Sequence, residues 1–147
     1  MTDMASASPV AAKTPWHLWL VGMLSLLWNV SGAWVIMSAQ SGAPMDMDAA
    51  EIEYYANQPA WFVAVTDMVL ICAILAALAL LLRSRWAVPL YALSVAGIAV
   101  TAAYDVAAGT ALLLHDQGWL VLQLLTAGLA VAQLLYAWAM RRRGALH

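Results

Sequence analysis

Asp67 and Asp105 each lie inside an apolar run long enough to cross a membrane. At bilayer depth a carboxylate costs about 2.5–3.5 kcal/mol on insertion scales, and more if it stays charged and unpaired. A chain that keeps two such groups must satisfy them with partners or use them. Their surroundings therefore constrain the fold more than any other feature.

The apolar runs fill most of the chain. Of 147 residues, 65% are hydrophobic and only 10% are charged, against about 25% charged in a soluble domain. Four stretches, Trp16–Met37, Trp61–Leu82, Trp86–Leu114 and Trp119–Met140, could each span ~30 Å of hydrocarbon at ~1.5 Å per helical residue. Between and around them lie a polar tail over 1–15, expected to be disordered, an acidic loop over 38–60, the turns Arg83–Arg85 and His115–Gly118, and a basic tail over 141–147. No room remains for a soluble domain or a nucleotide-binding fold. The expected class is an all-α polytopic membrane protein, with one four-helix transmembrane domain over 16–140. The bilayer is its first partner, and nucleic acid is excluded.

Aromatic and charged residues agree with these boundaries. Trp16, Trp19, Trp34, Trp61, Trp86, Trp119 and Trp138 fall near span ends, where amphipathic rings favour the headgroup layer. All six basic residues (Lys13, Arg83, Arg85, Arg141, Arg142, Arg143) fall in segments that share one side of a four-span chain. The other side carries Asp46, Asp48, Glu51, Glu53 and Asp116. The positive-inside bias then places both termini in the cytoplasm. The first span lacks a clean small-x-small cleavage site and reads as a retained helix rather than a signal peptide. Cys72 is the sole cysteine, so an intramolecular disulfide is excluded and packing is its expected role.

Small and polar residues at helical spacing mark the faces that pack inward. Such stripes run through Gly22, Ser25, Asn29 and Gly32, through Ser94, Gly97, Thr101, Asp105 and Gly109, and through Gln123, Thr126, Ala130, Gln133 and Ala137. The second span shows a weaker one through Ala60, Ala64 and Asp67. Counted from the outer span ends, Asn29 lies about 12 Å deep, Asp67 about 9 Å, Asp105 about 13 Å and Gln123 about 6 Å. The expectation is one polar cluster of Asp67, Asp105, Asn29 and Gln123 below the outer surface, lined by Trp28, Trp61 and Tyr104, able to hold a solute or a proton. The competing reading is interhelical hydrogen bonding, worth ~0.6 kcal/mol per contact. In the acidic loop, Asp48 and Glu51 fit a capping box that would start a short surface helix resting Ile52, Tyr55 and Ala56 on the membrane.

Met45-Asp46-Met47 with Met37, Met68 and His115 offers soft ligands suited to Cu(I), but thioether copper sites gather more methionines, so no metal or other cofactor is expected. No nucleophile–base pair, HExxH, CxxC or phosphate loop is present, and the chain does not read as an enzyme.

The opening Trp19 to Trp28-Asn29, the acidic loop with Tyr54-Tyr55, Pro59-Ala60-Trp61 and Leu81-Leu82-Arg83 together resemble a group of small bacterial four-span inner-membrane proteins, some labelled "sugar transporter". The resemblance implies a multi-pass protein of the bacterial inner membrane and transport of a neutral polar solute such as a sugar; it supplies no site residue. The leading expectation is a small transporter or transport-associated subunit, working as a homo-oligomer or in a larger membrane complex. The alternative is a non-catalytic accessory or structural protein that assembles with a larger complex.

Overall fold

The computed structural model describes residues 15–42, 46–110 and 117–147. Residues 1–14 of the expected tail, 111–114 of the expected third span, and Met45, His115 and Asp116 of the loops lie outside the described residues. Within them the chain is all α-helical, with α1 Trp16–Gln40, α2 Ala49–Ala56, α3 Ala60–Leu81, α4 Ala87–Ala108 and α5 Gln117–Arg142. Four of these, α1, α3, α4 and α5, are long and apolar enough to cross a membrane. The chain is a multi-pass integral membrane protein built as a four-helix bundle.

Local chemistry sets the helix ends. Pro15 and Pro59 stand at the N-caps of α1 and α3 with φ of -67° and -61°; proline's fixed φ suits a helix start, and its missing N–H costs nothing there. Both expected features of α2 are present: the helix exists, and Asp48 Oδ1 accepts from Glu51 N at 2.8 Å while Asp48 N donates to Glu51 Oε2 at 2.9 Å. α4 ends earlier than the expected Trp86–Leu114 span. Gly109 takes a left-handed φ of 69° and closes the helix after Ala108, a conformation that glycine adopts without steric cost. Asp105 consequently sits about 5 Å from the end of its helix, at ~1.5 Å per residue, instead of about 13 Å.

In the bundle, α3 packs against α1 and α4, and α4 packs against α5. The backbones of α1 and α5 approach less closely and are joined by side chains. His17 Nδ1 and Tyr136 Oη are 2.6 Å apart, and Asn29 Nδ2 lies 3.4 Å from Gln133 Oε1. Near the Arg83–Arg85 turn lies a dry core of Leu18, Ala76, Ala77, Leu80, Ala87, Tyr91, Ala137 and Met140. Its alanines let the helices approach closely, which drives association where lipid is as apolar as the protein. At this basic end Ser84 N reaches back to Ala79 O at 2.7 Å, and Arg83 adopts a φ of 57°. That left-handed arginine is anchored: its O accepts from His147 N at 2.9 Å and its Nε donates to Ala145 O at 3.1 Å. Leu24, Leu27, Val106 and Leu124 point outward, as a lipid-facing surface requires.

Gly97 marks the tightest crossing. A Cβ added there would collide with the Val69 side chain, whereas one added at Gly32 meets nothing within 4 Å. Gly97→Val should lower stability in detergent by about 1–3 kcal/mol, the usual cost of overpacking. Gly32→Ala should leave it unchanged or raise it, since alanine is favoured by up to ~1 kcal/mol in a helix. Thermal unfolding measures both; a Gly97→Val variant as stable as the parent would contradict the α3–α4 contact.

Candidate functional site

The short helix α2 gives the acidic end its polar site. Tyr54 in α2 and Gln58, just past its C-terminal end, stand on the same side of this segment, since both line one cleft. That side turns toward the bundle: Tyr54 and Tyr55 are half-buried, so Tyr55 leaves the expected membrane-facing set and lines the cleft, while Ile52 and Ala56 of that set are exposed. Tyr54 Oη donates to Asp105 Oδ1 at 3.0 Å, and Thr110 Oγ1 donates to the same oxygen at 3.2 Å. Asp105 is only 4% exposed. Among the described residues no hydrogen bond falls on its second oxygen, Oδ2.

A cleft of about 110 Å³ lies over this carboxylate. Tyr54, Tyr55 and Gln58 from the α2 side, Phe62 and Thr66 from α3, Thr101 and Asp105 from α4, and Trp119 and Gln123 from α5 line it, with Ile36 and Gln40 of α1. Gln58 Oε1 and Thr66 Oγ1 are buried at its wall without a hydrogen-bond partner among the described residues. Buried polar atoms are nearly always paired, so these two mark a surface that calls for a polar occupant. A second cleft, of about 240 Å³, adjoins the first across Tyr54 and Gln58 and is lined by Glu53, Asn57, Tyr104 and Thr110 as well.

Burial holds the Tyr54 phenol well above its ordinary range, and the adjacent Asp105 charge and hydrogen bond push it the same way. Tyr55 is raised too, by burial first and then by Glu51 and Asp105. Tyr54 thus stays a donor at any physiological pH. It holds α2 onto the bundle through a neutral O–H.

The structure divides the expected cluster. Asp105 and Gln123 line the first cleft, and Tyr104 lines the second. Trp61 packs edge-on against Tyr104 with ring centres 5.1 Å apart, behind the clefts rather than in them. Asn29 belongs elsewhere. Because α1 continues to Gln40, Asn29 lies about 16 Å from that end, and it bonds Gln133 Oε1 and Ala73 O, each at 3.4 Å. This is interhelical bonding in mid-bundle. Trp28 is half-buried and lines neither cleft. Asp67 also stays apart: it is half-buried, lies on the α3 stripe that carries exposed Ile71 and Leu78, and receives no hydrogen bond from a described residue. The two aspartates therefore do not share a site. Tyr54, Gln58, Thr66 and Thr110 were not expected in the site. No local pattern singled them out, since Gln58 lies beyond the end of α2 and the partner of Tyr54 lies 51 residues away.

Comparisons with family models, with curated proteins and with solved structures found no match.

Tyr54→Phe should cost about 1–3 kcal/mol by removing a donor from a buried acceptor, and should increase hydrogen exchange in α2. Unchanged exchange would separate α2 from Asp105. The raised Tyr54 pKa gives a second readout. A phenol held neutral in the folded state contributes stability that is complete below pH 10.0, its ordinary value, and is lost as pH rises through the higher folded value. An absorbance titration should show tyrosines that resist ionisation at pH 10.0, Tyr54 and Tyr55 among them, and Tyr54→Phe should reduce their number by one.

Proposed function

We propose that this protein is an inner-membrane transporter or transport-associated subunit that captures a small polar solute at its acidic end. In this reading both termini are cytoplasmic and the acidic end faces outward, as the one-sided placement of all six Lys and Arg residues favours. The observation that carries the proposal is the position of Asp105. Its carboxylate lines a cleft beside α2, with buried Gln58 Oε1 and Thr66 Oγ1 that have no hydrogen-bond partner among the described residues. Tyr91 Oη and Ser94 Oγ also lack a partner among the described residues but line neither cleft, so it is the convergence of Gln58, Thr66 and Asp105 on one cleft that favours a ligand.

The volume favours a small solute. Drug-sized ligands occupy pockets of ~300–1,000 Å³, well above this cleft. The tight alanine-rich packing at the basic end supports a route completed either by helix movement or by a second copy of the chain. The accessory reading rests on the Asn29–Gln133 and His17–Tyr136 contacts, which serve bundle assembly and need no ligand.

Uptake of small polyols and amines into proteoliposomes, with and without a proton gradient, distinguishes the two. Transport predicts protein-dependent uptake of at least one solute, reduced about tenfold or more by Asp105→Asn, a loss equivalent to ~1.4 kcal/mol. Uptake no faster than in empty vesicles, from protein that unfolds cooperatively, would favour the accessory role.

A further inference from the structure

Among the described residues, the lining of the first cleft is rich in acceptors and holds no basic side chain. Asp105 offers Oδ2, since both hydroxyl donors that reach its carboxyl fall on Oδ1. Gln58 Oε1 is a buried acceptor without a partner among the described residues, and Thr66 Oγ1 can accept as well. No Lys or Arg occurs between Thr14 and Leu82 or between Trp86 and Met140. Arg83, Arg85 and Arg141–Arg143 lie at the opposite end of the bundle, where the Arg83 turn meets the chain after α5. Hydroxyl groups are thus the only donors that the described residues bring to this carboxylate, and a buried carboxylate without a charged partner is costly, so the site favours a ligand that brings positive charge as well as donors.

The apolar part of the lining points the same way. Tyr54, Tyr55, Phe62 and Trp119 contribute rings to the cleft, and aromatic faces attract cations through their quadrupoles. The adjoining cleft carries Glu53, so a second carboxylate flanks the approach past Tyr54. An anion would meet two carboxylates and, among the described residues, no positive partner. A neutral polyol would supply donors but leave the charge uncompensated. A primary ammonium supplies both, with three N–H donors for Asp105 Oδ2, Gln58 Oε1 and Thr66 Oγ1.

Building on the solute-capture reading above, we propose that the cleft binds a small primary ammonium cation, with Asp105 as its counter-ion and Gln58 and Thr66 as further acceptors. Tyr54 sits between the two clefts, where its movement would admit the ligand.

The test is isothermal titration calorimetry on the full chain in nanodiscs of uncharged lipid, at constant ionic strength. Methylammonium, glycerol and acetate serve as the cationic, neutral and anionic probes. Methylammonium should bind saturably, and glycerol and acetate should not. Asp105→Asn should weaken methylammonium binding about thirtyfold or more, as truncating one partner of a buried charge pair does. If that variant does not fold, Gln58→Leu with Thr66→Val should still weaken methylammonium binding, because it removes two acceptors and leaves the carboxylate. Saturable glycerol binding without methylammonium binding would overturn the cation assignment and leave solute capture standing. No binding of any probe would overturn both. Methylammonium binding unaffected by either set of substitutions would place the cation elsewhere and overturn the proposal.

Discussion

The hydrogen-bond demand of the Asp105 carboxylate organises the acidic end of the bundle. Backbone groups of α4 satisfy one another within the helix, as they must in lipid, so they are not free to serve the side chain. Donors have to come from outside the span. Thr110 supplies one just beyond the Gly109 helix stop, and Tyr54 supplies the other from α2. Docking of the short helix and satisfaction of the carboxylate are one event. The capping box of α2 pre-forms the helix that presents Tyr54, and burial keeps the phenol protonated for the task.

That arrangement divides the protein along its length. Toward the basic end, alanines and a buried Tyr91 pack α1, α3, α4 and α5 into a closed core, locked by the pairing of the Arg83–Arg85 turn with the chain after α5. Toward the acidic end, polar side chains from every spanning helix border a cleft. Between them Asn29 and Gln133 join α1 to α5, the pair of spans whose backbones stay further apart. A bundle closed at one end and lined with acceptors at the other is shaped for access from one side. Asp67 stands outside this scheme. Its stripe on α3 faces away from the buried helix face, and nothing among the described residues explains its presence there.

Much of this was legible in the sequence, for physical reasons. Long apolar runs in lipid have few alternatives to helices, so four spans could be read from composition and tryptophan placement. The stripe Ser94, Gly97, Thr101, Asp105 follows one helix face, and all four are buried. The Asp48–Glu51 pair announced α2. Depth was less accessible. A single glycine in left-handed geometry ended α4 before the apolar run did, moving Asp105 toward the surface, and α1 continued past Met37, moving Asn29 toward the centre. The second span misled because its small residues Ala60 and Ala64 lie on the stripe left exposed, while the inward face is built from Phe62, Val69, Ala73, Ala76 and Leu80. A small-residue pattern in an alanine-rich helix does not say which face is covered. Tyr54 was hidden because its partner lies 51 residues away, a pairing that no local pattern encodes.

The central claim is that the Asp105 cleft opens to the outer side and carries a negative field. It can be measured by placing one thiol in the cleft. With Cys72→Ala removing the native cysteine, Gln123→Cys should react with membrane-impermeant methanethiosulfonate reagents added outside sealed vesicles. A cationic reagent should react faster than an anionic one of similar size, and adding Asp105→Asn should reduce that preference. A thiol that reacts only from the cytoplasmic side, or that shows no preference for the cation, would contradict the account.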